Sequence, residues 1–199
     1  AMKHDFRIGV MEADIDSAVD ADTISETGAK VIQLHTGGMC HLDADMTRQG
    51  LLELDTSDVD LAILENVGNL VCPAEFDTGA VKNAMILSVP EGDDKPLKYP
   101  LMFQVCQCLL INKIDVLPYF DFDLEECKKR VLKLNPDMKI ILFGCMMQEP
   151  HVVEKIKKTY PFVNLVFGTH NIFKFAELFY DMQQSEQQIV DIWEGTDQI

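Results

Sequence analysis

Seven short apolar runs, RIGVMEAD, KVIQLHT, LAILEN, KNAMILSVP, CLLINKID, KIILFGC and NLVFGTH, recur along the chain between polar or glycine-containing turns. Several are continuous rather than alternating. A strand with one wet face alternates, so continuous runs of this length belong to strands covered on both faces, as in the parallel sheets of α/β proteins. The segments between the runs carry helical spacing. Asp123 is placed to cap a helix whose Leu124, Cys127, Val131 and Leu134 share one face, with EECKK supplying the wet side. Asn171 is placed to cap another, with Ile172, Phe175, Leu178, Phe179 and Met182 inward. The expected architecture is α/β, a mostly parallel doubly wound sheet in three layers, with its binding crevice beyond the C-terminal strand ends. The polar loops after the strands are therefore first in line for chemistry. The closing stretch QQSEQQIVDIWEGTDQI is polar enough to fray.

A chain of 199 residues with 47% hydrophobic content can bury a real core as one α/β domain, or as one domain with an appendage. The formal charge of -16, with no basic cluster, excludes an electrostatic grip on phosphate backbones, so nucleic acid is not an expected partner. No apolar run is long enough to span a bilayer, and AMKHDFRIGV lacks the regions of a secretory signal. A cytoplasmic location without a membrane partner is expected. The six cysteines, Cys40, Cys72, Cys106, Cys108, Cys127 and Cys145, are too sparse for a disulfide framework, so reduced thiols are expected.

Two constellations carry chemistry. In NKID, Asp115 can accept paired hydrogen bonds from a guanine edge while Asn112 and Lys113 wall the base slot. The plain alternative is a strand end with a solvated turn. In HTGGMCHLD, Cys40 and His41 stand side by side, and Cys72 comes later in ENVGNLVCPAEF. Thiolate and imidazole together suit zinc or nickel, and three ligands leave a position open for water, a transferred group or a partner subunit. Buried thiols that pack as small hydrophobes account for the same residues. Cys106 and Cys108 form a C-x-C whose side chains share one face if both lie on a strand, and packing is the expected role.

The phrases FRIGVMEADIDSAVDADTI, TGAKVIQLHTGGMCHLDADM, LAILENVGNLVCPAEFDTG, LSVPEGDDKPLKYPLMF and LLINKIDVLPYFDFDLEE resemble, in order and spacing, successive segments of the HypB family of GTPases, which help insert nickel into [NiFe] hydrogenase. The resemblance covers residues 6–136. It implies a GTP-dependent homodimer whose interface holds a metal on Cys40, His41 and Cys72, with hydrogenase maturation factors as partners. It further implies that Asp14 stands near the nucleotide's magnesium, that Glu65 to Gly68 sense the third phosphate, and that Asn112, Lys113 and Asp115 read guanine. The family's phosphate loop, G-x-x-x-x-G-K-[ST], would stand ahead of Lys3 and does not occur in these residues. Gly37 and Gly38, the one adjacent glycine pair, lack the lysine and hydroxyl that would come next. Without backbone N–H groups around the β-phosphate, the expectation is a P-loop-NTPase-like fold lacking its first strand and phosphate loop, weak GTP and magnesium binding at most, and no catalytic residue.

Residues 135–181 resemble a different family, the N-terminal domain of MiaB-type radical-SAM tRNA methylthiotransferases, through LFGCMMQEP and FVNLVFGTHNIFKFAELF. That resemblance implies that Cys145 matches one of three cysteines that hold an iron-sulfur cluster. One thiolate cannot hold a cubane cluster, so no cluster is expected on Cys145 alone. The chain thus reads as a chimera: a HypB-like part over residues 1–136, and a strand-helix part over 137–199 that completes the same α/β domain, with NLVFGTH taking the place of the absent strand or lying at an edge. The expected function is a nickel- or zinc-binding module with weak guanine affinity. A methylthiotransferase fragment and a recombined domain without catalytic activity stand as alternatives.

Overall fold

A computed structural model describes residues 6–14, 19–144, 150–185 and 187–191. The chain divides into two compact units, Ala1–Val81 and Lys82–Ile199. All seven apolar runs become strands, each in parallel pairing.

In the first unit, β1 (Ile8–Asp14) lies between β2 (Lys30–His35) and β3 (Leu61–Glu65). Val10 stands opposite both Val31 and Ile63, which fixes the register. Helix α1 (Val19–Glu26) leads into β2, α2 (Ala44–Leu54) comes after it, and the one-turn helix α3 (Cys72–Glu75) comes after β3. The sequence starts α2 with an acceptor that the first turn needs: the Asp43 carboxylate accepts from the Met46 N–H at 2.8 Å. The helix ends at Asp55, in the left-handed conformation at φ 50°. Leu54 and Leu42 are fully buried against Met11, Ala13 and Leu34. Gly50 lets α2 come close, because a Cβ there would stand 2.8 Å from Leu34 Cδ2 and 3.0 Å from Met11 Sδ. β3 is an edge strand of this sheet, with Ile63 42% exposed, so its continuous apolar run is not covered on both faces within the unit. Arg7 forks onto Asp60 with bonds of 2.9 and 2.6 Å, tying the start of β1 to the start of β3. That guanidinium holds the Asp60 carboxyl well below the usual carboxylate range. The pair is exposed, so its effect on stability is small.

Among the described residues, the second unit is a five-stranded parallel sheet in sequential order: β4 (Ala84–Ser88), β5 (Cys108–Asn112), β6 (Lys139–Gly144), β7 (Leu165–Gly168) and β8 (Ile189–Asp191). Helices α4 (Lys95–Lys98) and α5 (Pro100–Val105) join β4 to β5, and α6 (Leu124–Leu134) joins β5 to β6. Then α7 (Pro150–Thr159) joins β6 to β7, and α8 (Phe175–Gln184) joins β7 to β8. Ile140, Ile141 and Leu142 are all buried, although successive strand residues face opposite ways, so β6 is covered on both sides. One of those faces meets Leu178 and Met182 of α8. Asp123 caps α6 as expected, accepting from the Glu126 N–H at 3.0 Å, and Leu124, Cys127 and Val131 are buried.

Three expectations change here. NLVFGTH does not lie at an edge, since β7 sits between β6 and β8. Part of the polar tail is ordered: Ile189–Asp191 pairs with Leu165–Phe167, because a short polar-flanked run still gains by completing a parallel ladder. Asn171 does not cap α8, for residues Thr169–Lys174 form a 3-10 helix ahead of it. Three residues per turn shift the phase, which leaves Ile172 57% exposed while Leu178 and Met182 remain inward. Cys106 comes after α5 rather than lying in β5, and both C-x-C thiols are buried, with Cys106 Sγ 3.7 Å from Met102 Sδ. Among the described residues, no helix is long and apolar enough to cross a membrane.

Candidate metal centre

The segment after β2 must reverse within a few residues, and Thr36 to Met39 does so in a turn with φ 64° at Gly37 and 89° at Gly38. Two positive φ values in succession define a type I′ turn, which glycine adopts without steric cost. The Met39 N–H closes it on the Thr36 carbonyl at 3.2 Å. The turn delivers Cys40 and His41, and fully buried Leu42 anchors the chain just ahead of α2. From the other side, the loop after β3 delivers Cys72 as the first residue of a one-turn helix, α3 (Cys72–Glu75), with Pro73 next, where a missing N–H costs nothing.

The ligand atoms of Cys40, His41 and Cys72 all lie within 4.8 Å of one another. The Cys40 and Cys72 sulfurs stand 2.7 Å apart as free thiols. Tetrahedral zinc at its usual 2.3 Å from sulfur would hold them roughly 3.8 Å apart, a small opening of the same arrangement. His41 stacks on Phe76, ring centroids 3.7 Å apart and planes at 14°, which fixes the imidazole plane. Its Nδ1 is buried without a hydrogen-bond partner. A buried polar atom left unpaired is costly, and a cation at the trio offers such a nitrogen a partner. Contact with Cys40 first, then burial and the Cys40 and Glu75 charges, pushes the Cys72 thiol above its ordinary value. A soft cation must displace that proton to bind.

Two asparagines organise the trio: the sequence singles out Asn66 only within the phosphate-sensing stretch Glu65 to Gly68, and does not single out Asn69. Asn69 Nδ2 donates to the Cys40 carbonyl at 2.6 Å, while its Oδ1 accepts from the N–H groups of Val71 and Cys72 at 3.1 and 3.0 Å. Asn66 Oδ1 accepts from Leu42 N–H at 3.1 Å and from Val67 N–H at 2.9 Å. The available signal was the pair of Asn residues in ENVGNLVCP, a residue type that folds back on nearby N–H groups. Phe76 had no such signal.

The other singled-out residues are not part of this trio. Glu65 ends β3 and is exposed. Gly68 lies beyond it in open space, so crowding does not require a glycine there. Asp14 ends β1, and its side chain lies outside the described residues, as does Cys145. Asn112 ends β5, its Oδ1 accepting from Lys113 N–H at 2.7 Å. Lys113 takes a left-handed φ of 56°, an uncommon state for a residue with a side chain, and opens the 3-10 helix Ile114–Tyr119 that carries Asp115. Gly144, at the end of β6, went unremarked in the sequence. A Cβ there would stand 2.8 Å from Asp115 Oδ1 and 3.2 Å from the Ile114 nitrogen, so glycine lets this loop rest on the strand end.

The family model for the CobW/HypB/UreG nucleotide-binding domain matches residues 1–142. The chain belongs to this family. Among its HypB relatives, the hydrogenase maturation factor of Azotobacter vinelandii is 48% identical over 134 residues, covering 67% of this chain and 44% of the relative. The hydrogenase maturation factor HypB of Escherichia coli K12 is 44% identical over 148 residues, covering 74% of this chain and 51% of the relative. The chain therefore spans about half the length of these curated relatives. The crystal structure of HypB from Helicobacter pylori in complex with nickel superposes with a TM-score of 0.67 at 34% identity, covering 92% of this chain and 78% of that one. The α/β, P-loop-NTPase-like fold expected from the sequence is thus the fold of HypB.

Proposed function

We propose that this chain is a metal-binding HypB-type maturation domain that takes nickel or zinc on Cys40, His41 and Cys72. The observation that carries the reading is the convergence of three soft donors, from two separate loops, within 4.8 Å around a histidine nitrogen that lacks a partner. Two thiolates and an imidazole bind a borderline-soft divalent cation, and three protein ligands leave a position for exchange, as transfer requires. Exposed Met39, Val71 and Phe76 flank the trio and form an apolar rim on which a second copy can close. That rim supports a homodimer across the metal, with hydrogenase maturation factors as onward partners.

Asn112, Lys113 and Asp115 are the guanine reader of this proposal, with Asp14, Glu65 and Gly68 on the phosphate and magnesium side. These residues hold no G-x-x-x-x-G-K-[ST] run, so the 199-residue polypeptide by itself binds guanine nucleotide weakly. We read the chain as one HypB-type sequence rather than as a chimera. Supporting this is a structural match over 92% of the chain, which extends beyond residue 136, and the parallel pairing of β5, β6 and β7 across that point.

Competition with a chromophoric chelator tests the metal reading. Nickel or zinc should bind at one equivalent per chain, and Cys40→Ser, His41→Ala or Cys72→Ser should each abolish stoichiometric binding. Unchanged affinity in all three variants would refute it. Light scattering with and without metal tests the dimer.

A further inference from the structure

We propose that Asn69 is the positioning residue of the metal trio: its single amide ties the Cys40 loop to the Cys72 helix and sets the spacing at which both thiolates reach one cation. The inference rests on the reading that Cys40, His41 and Cys72 bind metal. It starts from a problem of chain geometry. The two thiols are 32 positions apart, Cys40 exposed in the loop after β2 and Cys72 half-buried at the start of the one-turn helix α3, so the core alone does not set their spacing. One atom set does. Asn69 Nδ2 reaches 29 positions back to the Cys40 carbonyl at 2.6 Å, while Oδ1 holds the N–H groups of Val71 and Cys72. The Asn69 N–H is itself fixed on the Val67 carbonyl at 2.8 Å. On the far side of His41, Asn66 clamps Leu42 N–H.

The chemistry of the side chain explains why it is asparagine. The link requires a donor toward Cys40 and an acceptor toward Cys72 at the same branch point, which only a primary amide of this length provides. Aspartate keeps the acceptor and loses the donor. A serine hydroxyl reaches the nearby Cys72 N–H and falls short of Cys40. An ordinary Asx turn would explain the bonds to Val71 and Cys72. The bond to Cys40 goes beyond it.

The test uses the 199-residue chain and cobalt(II) as a spectroscopic stand-in, because each thiolate bound to cobalt adds ligand-to-metal charge-transfer intensity. The unaltered chain should show a two-thiolate band that halves in Cys40→Ser and in Cys72→Ser. Asn69→Asp should reduce cobalt affinity about 10- to 100-fold, the range seen when residues that orient metal ligands are lost, and should weaken the band per bound ion toward one thiolate. The added negative charge alone would tighten cation binding, so a loss reports geometry. Circular dichroism and a urea midpoint of the metal-free chain establish folding, and where the Asp variant fails to fold, Asn69→Ser decides in its place. A full two-thiolate band with affinity within threefold of the unaltered chain would overturn the role of Asn69 and leave the metal reading intact. A chain that shows no thiolate band at all overturns the metal reading, and this inference with it.

Discussion

Replacing Gly144 with alanine adds one methyl group where β6 meets the Asp115 loop. Its φ is not positive, so alanine suits the backbone, and the effect turns on space. The new Cβ would lie 2.8 Å from Asp115 Oδ1, 2.9 Å from Ile114 Cγ2 and 3.2 Å from the Ile114 backbone nitrogen. The carboxylate can swing aside. Ile114 is only 3% exposed and its nitrogen is main chain, so they cannot move without shifting the 3-10 helix. Overpacking of this kind costs about 1–3 kcal/mol, and replacing a strand glycine by alanine offsets roughly 0.5–1 kcal/mol of it. Those two terms leave a net loss of roughly 0–2.5 kcal/mol, centred a little above 1 kcal/mol. With urea slopes of about 1–3 kcal/mol per molar, the midpoint of the second unit should fall by roughly 0.5–1 M. Gly50→Ala is the matched comparison. Its nearest atom is also at 2.8 Å, yet its three nearest atoms all belong to the outer parts of the Leu34 and Met11 side chains. Those parts rotate, and alanine gains about 1 kcal/mol over glycine inside a helix, so its midpoint should stay near that of the unaltered chain. Urea unfolding monitored by circular dichroism compares the two. A Gly144→Ala midpoint equal to the unaltered one, or a larger loss in Gly50→Ala, would refute the argument that yielding side chains and fixed backbone separate these sites.

Three further outcomes are expected. Burial pushes Cys108 and Cys127 up to about 12 and Cys106 up to about 11, whereas an unfolded thiol titrates at about 8.5. The folded state keeps those protons longer, so their contribution is whole below about 8.5 and is lost as pH rises toward the folded values, by about 1.4 kcal/mol per pH unit for each thiol. Cys127→Ala should flatten the fall of urea-derived stability between about pH 9 and 10.5 by that slope, and an unaltered slope would contradict the assignment. Asp43→Ala removes the acceptor that caps α2 and should cost about 1 kcal/mol, read as a lower urea midpoint for the first unit. Diamide should join Cys40 to Cys72 by taking one hydrogen from each thiol, with the peptide pair identified by mass spectrometry; prior zinc should slow the reaction, and equal rates with and without zinc would argue against a shared site.

The strands were legible because burial on both faces writes itself as an unbroken apolar run, as in KIILFG and LVFG, and every run became a strand. The cap at Asp123 was legible for an equally local reason, since an acceptor before an amphipathic repeat has few other uses. Ile172 and β8 were misread because a 3-10 turn shifts helical phase, and because a three-residue run is too short to carry a pattern of its own. The ligand types Cys40, His41 and Cys72 could be named from residue chemistry and family resemblance. That their donor atoms meet could not, because it depends on a turn of two left-handed glycines and on an amide bridging 29 positions. Sequence by itself determined which segments form strands and which side chains can bind a soft cation, since both stem from local composition. Only the tertiary structure decided that Asn66, Asn69, Phe76 and Gly144 matter, because their roles lie in contacts between loops and strand ends distant along the chain, and no local pattern records such contacts.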